Sequence, residues 1–104
     1  MRLNPTPAAA LVDRQGRPYF LWDLNLTLDE FERQLVDPDP EVRAYFTGKL
    51  MRQAKPDDVF TFLRPQEIAD AWPFIERYLG TTRPFWHWLL ATWERQGSVR
   101  RPPH

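Results

Sequence analysis

The sequence predicts a mainly α fold, a compact bundle of about five short helices with room for a short N-terminal β-hairpin. Three observations carry that expectation. Helix-start signals recur along the chain, at Thr27, Asp39-Pro40, Lys55-Pro56-Asp57-Asp58, Arg64-Pro65 and Thr82. Between them, apolar residues return at three- and four-residue spacing instead of alternating. Eleven prolines stand in 104 residues, most of them where a helix would begin, so they punctuate many short elements.

Taken in order, residues 1–8 carry Pro5 and Pro7 and read as an extended arm. Residues 9–12 and 17–22 flank Asp13-Arg14-Gln15-Gly16, a hairpin loop with Gly where positive φ is easiest. Pro18 would confine such a strand to an edge. Thr27 has capping-box spacing to Glu30, and Leu28, Phe31 and Leu35 continue a helical stripe. Asp37-Pro38-Asp39-Pro40 ends that helix and starts a second, with Asp39 as N-cap, running to about Ala54. Lys55-Pro56-Asp57-Asp58 opens a short third helix through Leu63, and Pro65 opens a fourth. Pro73 would clash with the carbonyl of Ala69, so a kink or a fresh start is expected at Trp72-Pro73. Gly80 ends this helix, Thr82 caps the last one and Gly97 ends it. A single helical domain then spans residues 9–97, and residues 98–104 form a flexible basic tail.

Composition bounds the function. Fourteen Lys and Arg balance fourteen Asp and Glu, so no global field draws nucleic acid or anionic lipid to the chain. The absence of Cys excludes disulfides, thiolate metal sites and cysteine nucleophiles. The apolar stretch at residues 8–12 is too short for a signal peptide or a membrane span, and a cytoplasmic, bacterial-type protein is expected. Five Trp, seven Phe and three Tyr are more aromatic surface than a chain of this length requires. Such residues enrich both cores and interfaces.

One stretch invites a catalytic reading. Tyr19-Phe20-Leu21-Trp22-Asp23-Leu24-Asn25-Leu26-Thr27 looks like the first motif of haloacid-dehalogenase-type phosphatases, a hydrophobic strand followed by Asp-x-Asp-x-Thr. There the first carboxylate attacks phosphorus and the second protonates the leaving group. Asn25 stands at the second position and is no acid, and no repeated βα units follow. The aromatics are instead expected to pack on the core ahead of a helix capped by Thr27. His87 and His104 are the only histidines and Ser98 the sole serine, which gives a Ser-His-Asp triad no basis. Asp57 and Asp58 suit a helix macrodipole better than a metal. Asp37 and Asp39 lack the Gly and terminal Glu of a calcium loop. The chain is read as a non-enzyme with no catalytic, metal or cofactor residues.

Binding surfaces remain. In the last helix, steps of about 100° place Trp88, Thr92, Phe85, Leu89, Trp93, Trp86 and Leu90 on one arc of roughly 200°. A surface helix of a small monomer needs a stripe nearer ~100°, so either this helix is central or another chain covers part of the arc. Trp86, Leu90 and Trp93 are the candidate anchors for a partner. In the helix opened by Pro40, Phe46, Leu50, Met51 and Ala54 face the core. Tyr45, Lys49 and Arg52 lie at i, i+4 and i+7 on another side, a secondary contact for phosphates or an acidic partner. The alternative is a helix-turn-helix-type DNA-binding transcriptional regulator built on the third and fourth helices. Gln66, Glu67 and Asp70 lie near the start of its recognition helix, where the two acidic groups would repel DNA, leaving Arg64, Arg77 and Arg83 to compensate.

With these residues in view, the chain resembles a family of small bacterial proteins of unassigned biochemistry. They are usually encoded beside nucleotidyltransferase toxins of the abortive-infection AbiEii type. The matching blocks run in order: Phe20-Leu21-Trp22-Asp23, Gly48-Lys49-Leu50-Met51, Asp57-Asp58-Val59-Phe60, Ile68 with Trp72, and Phe85-Trp86 with Leu89-Leu90. Members more usually read Leu-Phe-Trp-Asp in the first block. The resemblance implies a non-catalytic companion of a nucleotidyltransferase in a toxin–antitoxin system, either antitoxin-like or an accessory subunit. It implies no particular site residues.

Overall fold

The computed structural model describes residues 3–101, and among them six α-helices follow one another. They are α1 (Ala8–Leu11), α2 (Leu28–Leu35), α3 (Pro40–Gln53), α4 (Pro56–Phe62), α5 (Pro65–Ile75) and α6 (Arg83–Arg95). Two 3-10 turns, Glu76–Tyr78 and Gly80–Thr82, join α5 to α6. No described helix is long and apolar enough to cross a membrane.

Most helix starts follow local chemistry. The Thr27 hydroxyl accepts the Glu30 N–H at 3.2 Å, and the Glu30 carboxylate accepts the Thr27 N–H at 3.0 Å. This reciprocal pair occupies two donors that a helix start otherwise leaves orphaned. Asp39 caps α3 with a single bond, accepting the Glu41 N–H at 2.9 Å, and Pro40 behind it has no N–H to leave unpaired. α6 closes in a Schellman motif: Gly97 takes φ +74°, its N–H donates to Glu94 O, and Ser98 N–H donates to Trp93 O at 2.8 Å.

α3 is the hub. α2 packs against it on one side, α5 and the Glu76–Tyr78 turn on another, and α4 also leans on it. Gly48 permits the closest approach, because a Cβ there would fall 2.5 Å from the Tyr78 Cβ. Phe20, Phe31 and Phe62 meet edge-to-face with ring centroids 5.3 to 5.9 Å apart, and Phe46 joins Phe31 at 6.3 Å. Such contacts exploit ring quadrupoles beyond simple area burial. At the far end of α3 the buried Trp86 indole N–H donates to the Met51 carbonyl at 3.0 Å, so this large ring enters the core with its polar atom satisfied.

Several expectations need correction. The N-terminal hairpin is reduced to one antiparallel bridge, Val12 with Pro18. Residues 8–11 are helical instead, because Ala8-Ala9-Ala10 behind Pro7 favours helix, and Pro18 has no N–H to extend a ladder. The loop itself forms as expected: Gly16 has φ +78°, and the Asp13 carboxylate accepts the N–H groups of Gln15 and Arg17. Trp22 does not pack inward with Phe20 and Leu21; it is 70 % exposed. α5 passes through Pro73 without a break. Glu76 N–H resumes the ladder to Trp72 O, while Ile68, Ala69, Trp72 and Ile75 hold the opposite face in the core. Thr82 does not cap α6; its hydroxyl donates backward to Leu79 O at 2.6 Å. The tail is docked as far as Arg101. Val99 is buried, Gln66 exchanges hydrogen bonds with the Arg100 backbone, and Arg101 pairs with Glu94 at 2.7 Å. The rest of the expected tail, residues 102–104, and the first two residues of the arm lie outside the described residues.

Candidate protein-binding face

The apolar arc of α6 divides into two halves. Trp86 and Leu90 are buried, with Leu89 and Trp93 partly buried beside them. Phe60 of α4 lies 6.0 Å from Trp86 and 5.8 Å from Trp93, ring centroid to centroid. Phe85 and Trp88 occupy the other half, 42 % and 55 % exposed, with rings 6.3 Å apart. One turn further along the same side, the Thr92 hydroxyl donates to the Trp88 carbonyl and accepts from Arg95. Among the described residues Arg95 meets no carboxylate at ion-pair distance.

Trp86 and Leu90 are therefore withdrawn as surface anchors, because the helical body itself covers them. Trp93 is half-covered by α4. Phe85 and Trp88 take their place. The arc contained them from the outset, but helical spacing says only which residues share a side. Which part of the arc the body covers depends on where α4 and the end of α3 lie.

The secondary contact on α3 is also largely committed internally. Lys49 is 2 % exposed, and its ammonium donates to Asp23 Oδ2 at 2.6 Å while lying 5.7 Å from the Tyr45 ring centre. The hydrogen bond from Lys49 lowers the Asp23 carboxyl below the ordinary carboxylate range, with Gln53 assisting and partial burial opposing. Tyr45 stacks edge-on against Tyr78 at 5.6 Å, and Arg52 reaches toward the Tyr78 carbonyl and the Gln53 side chain. Only Tyr45 and Arg52 of the three remain at the surface.

Asp58 stands in the first turn of α4, as its position after Pro56 leads one to expect. It is also almost wholly inside, 1 % exposed, accepting hydrogen bonds from Thr6 and Tyr19. Burial pushes its carboxyl up, but the donors from Thr6 and Tyr19 outweigh that and leave it below the ordinary value. Burial and the same carboxylate push the Tyr19 phenol up to about 12. The one signal for this arrangement was the conjunction of an acid pair with the apolar Val59; nothing local named Thr6 as its partner.

Around α5, the three arginines that a DNA-binding reading needs each sit against a carboxylate. Arg64 meets Glu67 at 3.3 Å, Arg77 pairs with Glu41, and Arg83 pairs with Glu76. Gln66 is occupied by Asp70 and Arg100. Among the described residues no group of three or more His, Cys, Asp or Glu could hold a metal ion.

No family model, curated protein or solved structure matches this chain.

Proposed function

We propose that the protein is a non-catalytic binding partner of another protein, engaging it through the outer side of α6. The observation that carries this reading is the exposed Phe85–Trp88 pair on a helix whose opposite side is already filled by the core. Exposed large aromatics side by side cost hydration free energy in isolation and regain it when covered. Aromatic and Arg side chains are the types most enriched at binding hot spots, and Arg95 stands at the end of the same strip. The resemblance supplies the kind of partner: a nucleotidyltransferase of the abortive-infection type, held by an antitoxin-like or accessory subunit. No cofactor enters the mechanism. The pairing of Arg64, Arg77 and Arg83 with glutamates favours a protein over DNA, since each guanidinium already has a neighbouring carboxylate that offsets its charge and would repel a phosphate.

The test is co-expression with the nucleotidyltransferase that the resemblance implies beside its gene, using wild-type chain and the double variant Phe85→Ser, Trp88→Ser. Wild type is expected to co-purify and to alter toxicity. The double variant should weaken binding at least ~30-fold, the effect of losing one hot spot of about 2 kcal/mol, while keeping the thermal midpoint of the free protein. Failure of the wild-type proteins to associate or to change toxicity would sink the partner assignment. A gel shift that weakens steeply with salt would move the reading to DNA.

A further inference from the structure

Residues 4–7 read Asn4-Pro5-Thr6-Pro7, so the only backbone N–H groups in this stretch belong to Asn4 and Thr6. Both are used. Asn4 N–H donates to Asp57 Oδ2 at 2.9 Å, and Thr6 N–H donates to Asp58 Oδ1 at 2.6 Å. The Thr6 hydroxyl donates to Asp58 Oδ2 at 2.6 Å, where the Tyr19 hydroxyl also donates at 2.5 Å. The Tyr19 oxygen in turn accepts the Lys55 N–H at 2.9 Å. A buried carboxylate is thus satisfied by a segment more than fifty residues away in sequence.

We propose that Asp57, Asp58 and Tyr19 form a recognition socket for an extended, proline-alternating segment carrying a hydroxyl, and that residues 3–7 are its built-in ligand, a strap that opens as a unit. The strap's own chemistry supports separate opening. Leu3, Asn4, Pro5 and Pro7 are exposed and Thr6 is half-buried, so lifting the strap gives up few apolar contacts. Pro7 lies at φ −58° and ψ 148°, the polyproline II region, so an open strap stays extended and re-docks with little ordering cost. The socket reads two features at one residue, an N–H and a β-hydroxyl directed at the two oxygens of one carboxylate. Ser meets that requirement. Val fits the same space but leaves one Asp58 oxygen with a donor missing. When the strap is open, a segment of the same chemistry from a second chain finds the same acceptors.

Thr6→Val in the full chain removes the hydroxyl and keeps the shape and the backbone donor. Amide hydrogen exchange at Asn4 and at position 6 is expected to speed up at least ~10-fold, the equivalent of one hydrogen bond to a charged group. Exchange at Ile68 and Leu90 should stay unchanged, and Thr6→Ser should behave as wild type. A synthetic hexapeptide Leu-Asn-Pro-Thr-Pro-Ala added to the Thr6→Val chain should shift the Tyr19 ring resonances saturably, whereas the same peptide with Val for Thr should not. Unchanged exchange in Thr6→Val overturns the clasp. Joint acceleration at Ile68 and Leu90 overturns the separable strap. Two peptides acting alike, or a threonine peptide without effect at millimolar concentration, overturns the socket.

Discussion

Gly48 and Lys49 show how far single positions depend on their neighbours in space. A methyl group at Gly48 meets the Tyr78 Cβ inside contact distance, and both carbons are bonded directly to the backbones of packed elements, so neither can rotate away. Gly48→Ala should therefore lower stability by about 1–3 kcal/mol even though alanine is the better helix former. The check is the thermal midpoint, expected to fall ~4–8 °C per kcal/mol in a domain of this size; an unchanged midpoint would show that the Glu76–Tyr78 turn yields. Lys49 makes the opposite point. Its ammonium is buried but neutralised by the half-exposed Asp23, so the pair is tolerated without adding much stability. Asp23→Ala leaves the cation stranded and should cost about 1–2 kcal/mol, whereas Lys49→Met should be nearly neutral in a urea titration. If Lys49→Met proves the more damaging, the pair is a net stabiliser. From sequence, Lys49 read as a surface cation at helical spacing. Nothing within α3 shows that residues from the first quarter of the chain lie over it.

At the scale of elements, starts were more legible than interiors. Thr27 with Glu30 and Asp39 with Pro40 act within one turn, so their chemistry is complete in a few consecutive residues. Thr27→Ala should accordingly cost about 1 kcal/mol, readable as a shifted unfolding midpoint. The fresh start at Pro73 and the cap at Thr82 are absent for a common reason: local propensity suggests each, and packing overrides it. α5 accepts the missing bond at Pro73 because its other face is fixed in the core by Ile68, Ala69, Trp72 and Ile75. Pro73→Ala restores the N–H and removes the ring, and should raise stability by about 1–3 kcal/mol. A fall instead would mean that the proline ring packs productively at the surface. The N-terminal strand expectation failed in the same manner, with local alanine helicity prevailing over a hairpin that had nothing to pair with beyond one bridge.

For the whole molecule, the titration behaviour joins these pieces. Asp23 and Asp58 both have folded carboxyls lowered beneath the ordinary value of 3.8. Their contribution is full above the unfolded value and lost as pH falls through the lower folded values, so acid unfolding should set in mainly below that point. The Tyr19 phenol works in the other direction. It is raised from 10.0 to about 12, so its contribution is full below the unfolded value and lost as pH climbs between the two. Circular dichroism against pH should show both edges. Tyr19→Phe should flatten the alkaline one, and an alkaline edge unaffected by that change would exclude Tyr19 as its source.

α5 ends at Ile75, five residues short of the Gly80 that the spacing puts at its end. The sequence by itself determined the helical class, the number and starts of most main helices, the Gly16 turn and the Gly97 helix end, and the set of residues sharing the α6 arc. All of these follow from chemistry within a turn or two of the chain. The tertiary structure alone decided which half of that arc is left bare, that Lys49 and Asp58 are interior, and that residues 3–7 and 98–101 are docked. Burial is a relation between distant segments. Trp86 and Trp88 are two residues apart with identical side chains, and only the position of α4 and the end of α3 makes one core and leaves the other exposed.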